Sequence, residues 1–127
     1  MKRTILIVDD SETSRMIIKK CFTMTGDEDS TFLEAEDGIR ALSTLAALQV
    51  DLVVTDLNMP RMDGLTLLKK LRSGAQTRKL PVLVISSMGN DHLDKELKAL
   101  DVTAIIRKPL TPSKIRNAVA SREEGGF

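Results

Sequence analysis

Four short runs of consecutive apolar residues punctuate the chain: Ile5–Val8, Leu52–Val54, Val82–Ile85 and Ala104–Ile106, with a weaker one at Thr31–Leu33. Unbroken, mostly β-branched runs of this length predict strands buried on both faces, the signature of a parallel sheet. The segments between them change to a helical period. Ile17, Ile18, Cys21 and Phe22 share one helical face, as do Ile39, Leu42, Leu45 and Ala46. Leu67, Leu68 and Leu71 form a third face, Leu93, Leu97 and Leu100 a fourth, and Ile115, Ala118 and Val119 a fifth. Helix punctuation agrees. Gly26 stands where a C-terminal glycine cap belongs, Asp37 and Asp63 where N-caps belong, and Thr111-Pro112 reads as N-cap plus first-turn proline. Strand–helix alternation predicts an α/β fold with a five-stranded parallel sheet, right-handed crossovers and five helices in layers on both faces. Residues 121–127 are expected to fray, because Gly125-Gly126 cannot hold a helix.

Composition adds bounds. At 127 residues the chain fits one domain, and 42% apolar with 29% charged residues is an ordinary globular balance. A net charge of +1 offers no basic field for nucleic acid, and three Phe with no Tyr or Trp offer little surface for base stacking. The single cysteine, Cys21, excludes an internal disulfide framework and suits a reducing compartment. Met1-Lys2-Arg3 is followed by too short an apolar stretch for a signal core, and no segment reaches the ~20 apolar residues that cross a bilayer. The expectation is a cytoplasmic protein without membrane or nucleic-acid contacts.

In open parallel sheets, ligands bind beyond the carboxyl ends of the strands. The polar residues of interest all fall there: Asp9 and Asp10 after the first run, Asp56 after the third, Ser86 and Ser87 after the fourth, Lys108 and Pro109 after the fifth. Three carboxylates at one edge repel. Two unit charges ~4 Å apart cost roughly 4 kcal/mol at an effective dielectric near 20. A hard divalent cation such as Mg²⁺ resolves that repulsion through oxygen ligands. Lys108 adds a point charge and Ser86 a hydroxyl, a set suited to the oxygens of a transferring phosphoryl group. A carboxylate can itself be the nucleophile and form an acyl phosphate. Asp56, on the strand expected to be central, is the best placed.

Taken together, Ile5-Leu6-Ile7-Val8-Asp9-Asp10-Ser11, Asp56-Leu57-Asn58-Met59-Pro60-Arg61-Met62-Asp63-Gly64, Ile85-Ser86-Ser87 and Lys108-Pro109 resemble the receiver domain of two-component response regulators, over Thr4 to about Ala120. The resemblance implies a flavodoxin-like sheet of strand order 2-1-3-4-5, with residues 1–122 as the receiver and 123–127 as a short tail. It implies Asp56 as phosphoacceptor and Mg²⁺ held by Asp9, Asp10, Asp56 and the backbone carbonyl of Asn58. Lys108 would pair with the phosphoryl group, Ser86 would be the switch hydroxyl, and a cis bond would precede Pro109. Such a domain is not an enzyme in the ordinary sense, although it assists its own phosphorylation and dephosphorylation. Its implied partners are a sensor histidine kinase or phosphotransfer protein and a downstream protein target. The target would dock on the fourth helix, fifth strand and fifth helix, with the domain a monomer or weak dimer. Asp-Asp-Ser-Glu-Thr-Ser-Arg at 9–15 is similar to stand-alone chemotaxis regulators.

One departure stands out. Receivers often carry Tyr or Phe three residues before the lysine, where this chain has Ile105, so a rotating aromatic is absent from the route to the output face. In receivers the residues two beyond the acceptor and two beyond the switch hydroxyl tune phosphoryl hydrolysis, and the resemblance places Asn58 and Met88 there. Two other functions compete: a relay intermediate without direct output, and a haloacid-dehalogenase-like phosphatase. The second is weakened because Asn58 stands where that chemistry needs a second acid. Plainer roles are expected elsewhere. His92 reads as a solvated surface residue, Cys21 as packing, Lys19-Lys20 and Lys69-Lys70 as solvated helix faces, and Met59, Pro60 and Gly64 as loop and helix-start residues.

Overall fold

The computed structural model describes residues 2–87 and 91–125, with side chains as far as Ala118. Met88 and Gly126 therefore lie outside the described residues, as does the side chain of Val119. The elements alternate as the apolar runs predict: β1 (Thr4–Val8), α1 (Glu12–Phe22), β2 (Thr31–Ala35), α2 (Gly38–Ala47), β3 (Leu52–Asp56), α3 (Gly64–Ser73), β4 (Val82–Ser86), α4 (Asp91–Ala99), β5 (Ala104–Arg107) and α5 (Pro112–Gly125). All pairings are parallel and the strand order is β2-β1-β3-β4-β5. β3 is thus central, and the chain turns back across β1 at the sheet's switch point. The expected fold class is observed.

The alternation of side chains along each strand sorts the core into two layers. Leu6, Val8, Val53, Val82 and Val84 face α2, α3 and α4 through Ala41, Leu67, Leu68, Leu71 and Leu97. Ile5, Ile7, Leu52, Val54, Leu83, Ile85 and Ile106 face α1 and α5 through Ile18, Cys21, Phe22, Ile115 and Ala118. Each of the Val, Leu, Ile and Phe side chains contributes about 1.5–3 kcal/mol on leaving water. β1, β3 and β4 are buried almost throughout, whereas β2 and β5 are only partly covered, as edge strands must be. Reading every run as buried on both faces was too strong for those two.

The helix caps are where the sequence puts them. The Asp37 carboxylate accepts from the Arg40 amide at 2.8 Å and Asp63 from the Thr66 amide at 2.8 Å. Thr111 Oγ1 accepts from the Lys114 amide at 3.3 Å, just before Pro112. Gly26, at φ 108°, supplies the left-handed residue in a π-type turn that closes α1. Three expectations fail in detail. Ile17 is 49% exposed and Ile39 46% exposed, because each lies at the edge of its apolar stripe. Ala46 is exposed, and buried Ala41 takes its place on α2. The backbone of α5 stays helical to Gly125 instead of fraying from Ser121.

Arg72 closes the end of the sheet remote from the acidic residues. Its guanidinium donates to the carbonyls of Leu100 (2.6 Å), Leu80 (2.8 Å), Asp101 (3.1 Å) and Thr77 (3.2 Å). It thereby satisfies the carbonyls that the end of α4 and the turn into β4 leave open. No helix among the described residues is long and apolar enough to cross a membrane.

Candidate functional site

Asp9, Asp10, Asp56, Ser86 and Lys108 come from two loops and two strand ends. The parallel sheet delivers all of them to one edge. Asp9 is 1% exposed and Asp56 5%, although both are acids; Asp10 beside them is exposed. One carboxylate oxygen from each of Asp9, Asp10 and Asp56 lies within 4.8 Å of the others. Asp9 is fixed from several sides. Its amide donates to Ala35 O (3.1 Å), its Oδ1 accepts from the Ser11 amide (2.9 Å), and its carbonyl accepts from Arg15 Nη1 (2.7 Å). Ser11 in turn caps α1, with Oγ accepting from the Ser14 amide at 3.2 Å. Asp9 thus closes a turn onto Ser11, the cap of α1, and the same bonds aim its carboxylate.

Asp9 Oδ2 is buried and has no hydrogen-bond partner among the described residues. Burial first, and then the neighbouring Asp56 and Asp10 carboxylates, push the Asp9 carboxyl above the usual range, against the opposing pull of the Ser11 amide and Lys108. A buried acid with an open oxygen, facing two further carboxylates, could hold a cation. Hard oxygen donors suit Mg²⁺ or a similar divalent ion.

Asp56 Oδ1 accepts from the Leu57 amide at 3.0 Å and stands 3.6 Å from Lys108 Nζ, whose side chain is 37% exposed. Ser86, buried at the end of β4, holds the lysine loop through its carbonyl, which accepts the Lys108 amide at 2.9 Å. The Lys108–Pro109 bond is cis, as the resemblance implies. Asn58 is exposed in the loop after β3, two residues beyond Asp56 on the same edge. That loop is pinned at its far end. Met62 packs onto Gly38 and Arg61, at φ 66°, reaches the buried Asp37 carboxylate at 3.3 Å.

Gly64 opens α3 against the backbone of Asp56. Its amide donates to Leu57 O at 2.9 Å, and a methyl at its Cα would collide with the Asp56 carbonyl oxygen and come within 3.0 Å of Leu57 Cα. Backbone cannot yield as a side chain can. Gly64→Ala is expected to cost about 1–3 kcal/mol, read as a lower urea midpoint at unchanged slope. It should also displace Asp56 from its neighbours.

The sequence profile of the response regulator receiver domain matches residues 5–120. The chain belongs to the response regulator receiver family. This receiver is 40% identical over 114 residues to the chemotaxis protein CheY1 of Helicobacter pylori, covering 88% of this chain and 90% of that one. It is 38% identical over 112 residues to CheY-3 of Vibrio cholerae, covering 88% and 85%. Among solved structures, the chemotaxis response regulator CheY4 of Vibrio cholerae superposes with a TM-score of 0.81 at 26% identity, covering 94% of this chain and 98% of that one. It is thus a CheY-type two-component signalling domain, a class of signalling modules rather than ordinary enzymes, and membership displaces the phosphatase reading.

One feature of the receiver's edge escaped the sequence. Ser14, Ile17, Ile18, Ile85, Pro109 and Leu110 line an open cleft that reaches Asp9 and Lys108. The exposed Ile17 forms part of its wall. An apolar residue on a surface helix gives no sign of it until α1 and the loop after β5 are placed side by side. The remaining residues behave plainly: His92 is exposed, and burial pushes the Cys21 thiol up, which keeps it inert.

Proposed function

We propose that this receiver accepts a phosphoryl group on Asp56 from a phosphohistidine of a histidine kinase or phosphotransfer protein, in a Mg²⁺-dependent reaction in the cytoplasm. The observation that carries the reading is the pairing of buried Asp56 with buried Asp9, whose open oxygen has no partner among the described residues, while Lys108 stands 3.6 Å away. Asp9, Asp10 and Asp56, with the Asn58 backbone carbonyl, would hold the ion. Mg²⁺ would supply charge neutralisation and in-line orientation of the phosphoryl oxygens. A carboxylate oxygen of Asp56 forms the new O–P bond as the N–P bond of the phosphohistidine breaks, and the electron pair and a proton stay with the departing imidazole. The Leu57 amide keeps the Asp56 carboxylate oriented, which favours the near-attack geometry. Lys108 Nζ moves from Asp56 to the phosphoryl oxygens, and Ser86 offers its hydroxyl to the same group. Water attacking phosphorus later returns the carboxylate and inorganic phosphate. The cleft between α1 and Leu110 gives a donor protein an apolar surface beside the acids. Chemotaxis is the favoured setting, given the relatives' names, and α4, β5 and α5 form the favoured face for a downstream target.

Intact mass spectrometry with acetyl phosphate tests the reading. A single phosphoryl addition is expected with Mg²⁺ and none with EDTA. No Mg²⁺-dependent addition would overturn it, and rapid turnover of p-nitrophenyl phosphate would restore the phosphatase alternative.

A further inference from the structure

With Ile105 where many receivers have an aromatic ring, some other contact must carry a change at Ser86 to α4. Ile105 is partly buried against the core and has no polar atom to exchange. Its neighbour two positions on, Arg107, lies on the same face of β5. Arg107 sits directly opposite Ser86 in the β4–β5 register. Its Nη2 donates to Asp94 Oδ2 on α4 at 2.6 Å, with the two side chains 37% and 25% exposed. Its carbonyl accepts from Lys114 Nζ of α5 at 2.8 Å, and the same ammonium reaches Pro109 O at 2.8 Å. The next residue, Lys108, is joined by its amide to Ser86 O. Arg107 is therefore touched by α4, by α5 and, through the ladder, by the switch end of β4.

The pair is incompletely satisfied. Asp94 Oδ1 and Arg107 Nη1 are both buried and lack hydrogen-bond partners among the described residues. A contact that leaves polar atoms open is easier to exchange than a fully paired one. Arg107 and Asp94 also line one shallow cleft with Lys98, Val102 and Ile105, so separating them would alter the α4–β5 surface.

We infer that the Arg107–Asp94 ion pair is a latch that holds α4 against β5 in the unphosphorylated receiver and is released when Ser86 and Lys108 turn to a phosphoryl group on Asp56. Arg107 is here a positioning residue. The inference rests on the phosphoacceptor reading. Because linkage is reciprocal, a latch that phosphorylation opens must also oppose phosphorylation, so breaking it should tighten the site for a phosphoryl mimic.

The test is a calorimetric titration of beryllofluoride at saturating Mg²⁺, with amide exchange of α4 measured alongside. Arg107→Gln and Asp94→Asn are each expected to bind beryllofluoride about two- to fivefold more tightly than wild type, in line with a partly exposed ion pair. Both should exchange α4 amides faster before any beryllofluoride is added. The charge-exchanged double variant, Asp94→Arg with Arg107→Asp, should return towards wild type. A merely structural pair would give weaker binding or none, not tighter. Wild type that binds beryllofluoride while the single variants bind no more tightly overturns the latch alone. Wild type that binds none overturns the phosphoacceptor reading, and the coupling with it.

Discussion

Asp56→Asn is expected to abolish Mg²⁺-dependent phosphoryl addition while leaving the fold intact. An amide oxygen is a poor nucleophile at phosphorus, so the rate from acetyl phosphate should fall by ~10³-fold or more. The substitution is nearly isosteric. Its carbonyl oxygen can keep the 3.0 Å bond from the Leu57 amide, and the ion pair with Lys108, at 3.6 Å and open to solvent on the lysine side, contributes little to stability. Removing the Asp56 charge also relieves one of the carboxylates that press on Asp9. The variant should thus unfold no earlier than wild type in metal-free buffer, which separates lost chemistry from lost structure. Persistent phosphoryl addition in this variant would move the acceptor to another residue.

This separation is available because site and core draw on different parts of each strand. Ile5, Ile7 and Val54 hold the sheet to α1 and α5, and the same strands lead straight into Asp9 and Asp56. Such a strand reads in the sequence as a simple apolar run followed by an acid. The architecture, the caps at Asp37, Asp63 and Thr111, and the meeting of Asp9, Asp10 and Asp56 were legible for that reason: each depends on local pattern plus the rule that parallel strands end at one edge. The strand order was not legible from pattern. It came from the resemblance, since apolar runs of similar length carry no record of their neighbours.

What stayed hidden depends on contacts between distant segments. Arg72 reads as one more cation on a helix with Lys69 and Lys70, yet it binds four carbonyls between Thr77 and Asp101. Arg107 reads as a flank of the Lys108-Pro109 motif, yet it bridges to Asp94. Ile17 reads as core because it fits the stripe of Ile18 and Cys21, yet it borders the cleft at Lys108. In each case periodicity gives the helix or strand and says nothing of which neighbour comes within reach. Gly64 is an intermediate case. A glycine after Asp63 suggests a helix start, but only the approach to the Asp56 carbonyl explains why a methyl cannot be accommodated.

Asp9→Asn is expected to melt above wild type without Mg²⁺ and below it with Mg²⁺. In metal-free protein the Asp9 carboxyl is pushed up, chiefly by burial. The sign follows from linkage: a carboxyl whose folded pKa is raised destabilises the fold when ionised, and that cost is fully present above the folded pKa. As pH falls through the raised value towards the ordinary Asp range, protonation removes the cost and stability rises. Asparagine carries no charge at any pH, and its oxygen can still accept from the Ser11 amide at 2.9 Å. Without metal at pH 7, the variant should therefore melt higher than wild type, with the advantage shrinking as pH is lowered towards 4. With Mg²⁺ the order should invert. Wild type at a hundredfold excess of ion over Kd gains about 2.7 kcal/mol. Loss of a ligating carboxylate should weaken Mg²⁺ on the order of 100-fold, since outer-sphere changes alone reach 10- to 100-fold. At the same ion concentration the variant then gains about 0.4 kcal/mol. Thermal melts with EDTA and with Mg²⁺, at pH 7 and near pH 5, read both effects in one experiment. A wild type that Mg²⁺ fails to stabilise, or a variant that it stabilises equally, would remove Asp9 from the ion site.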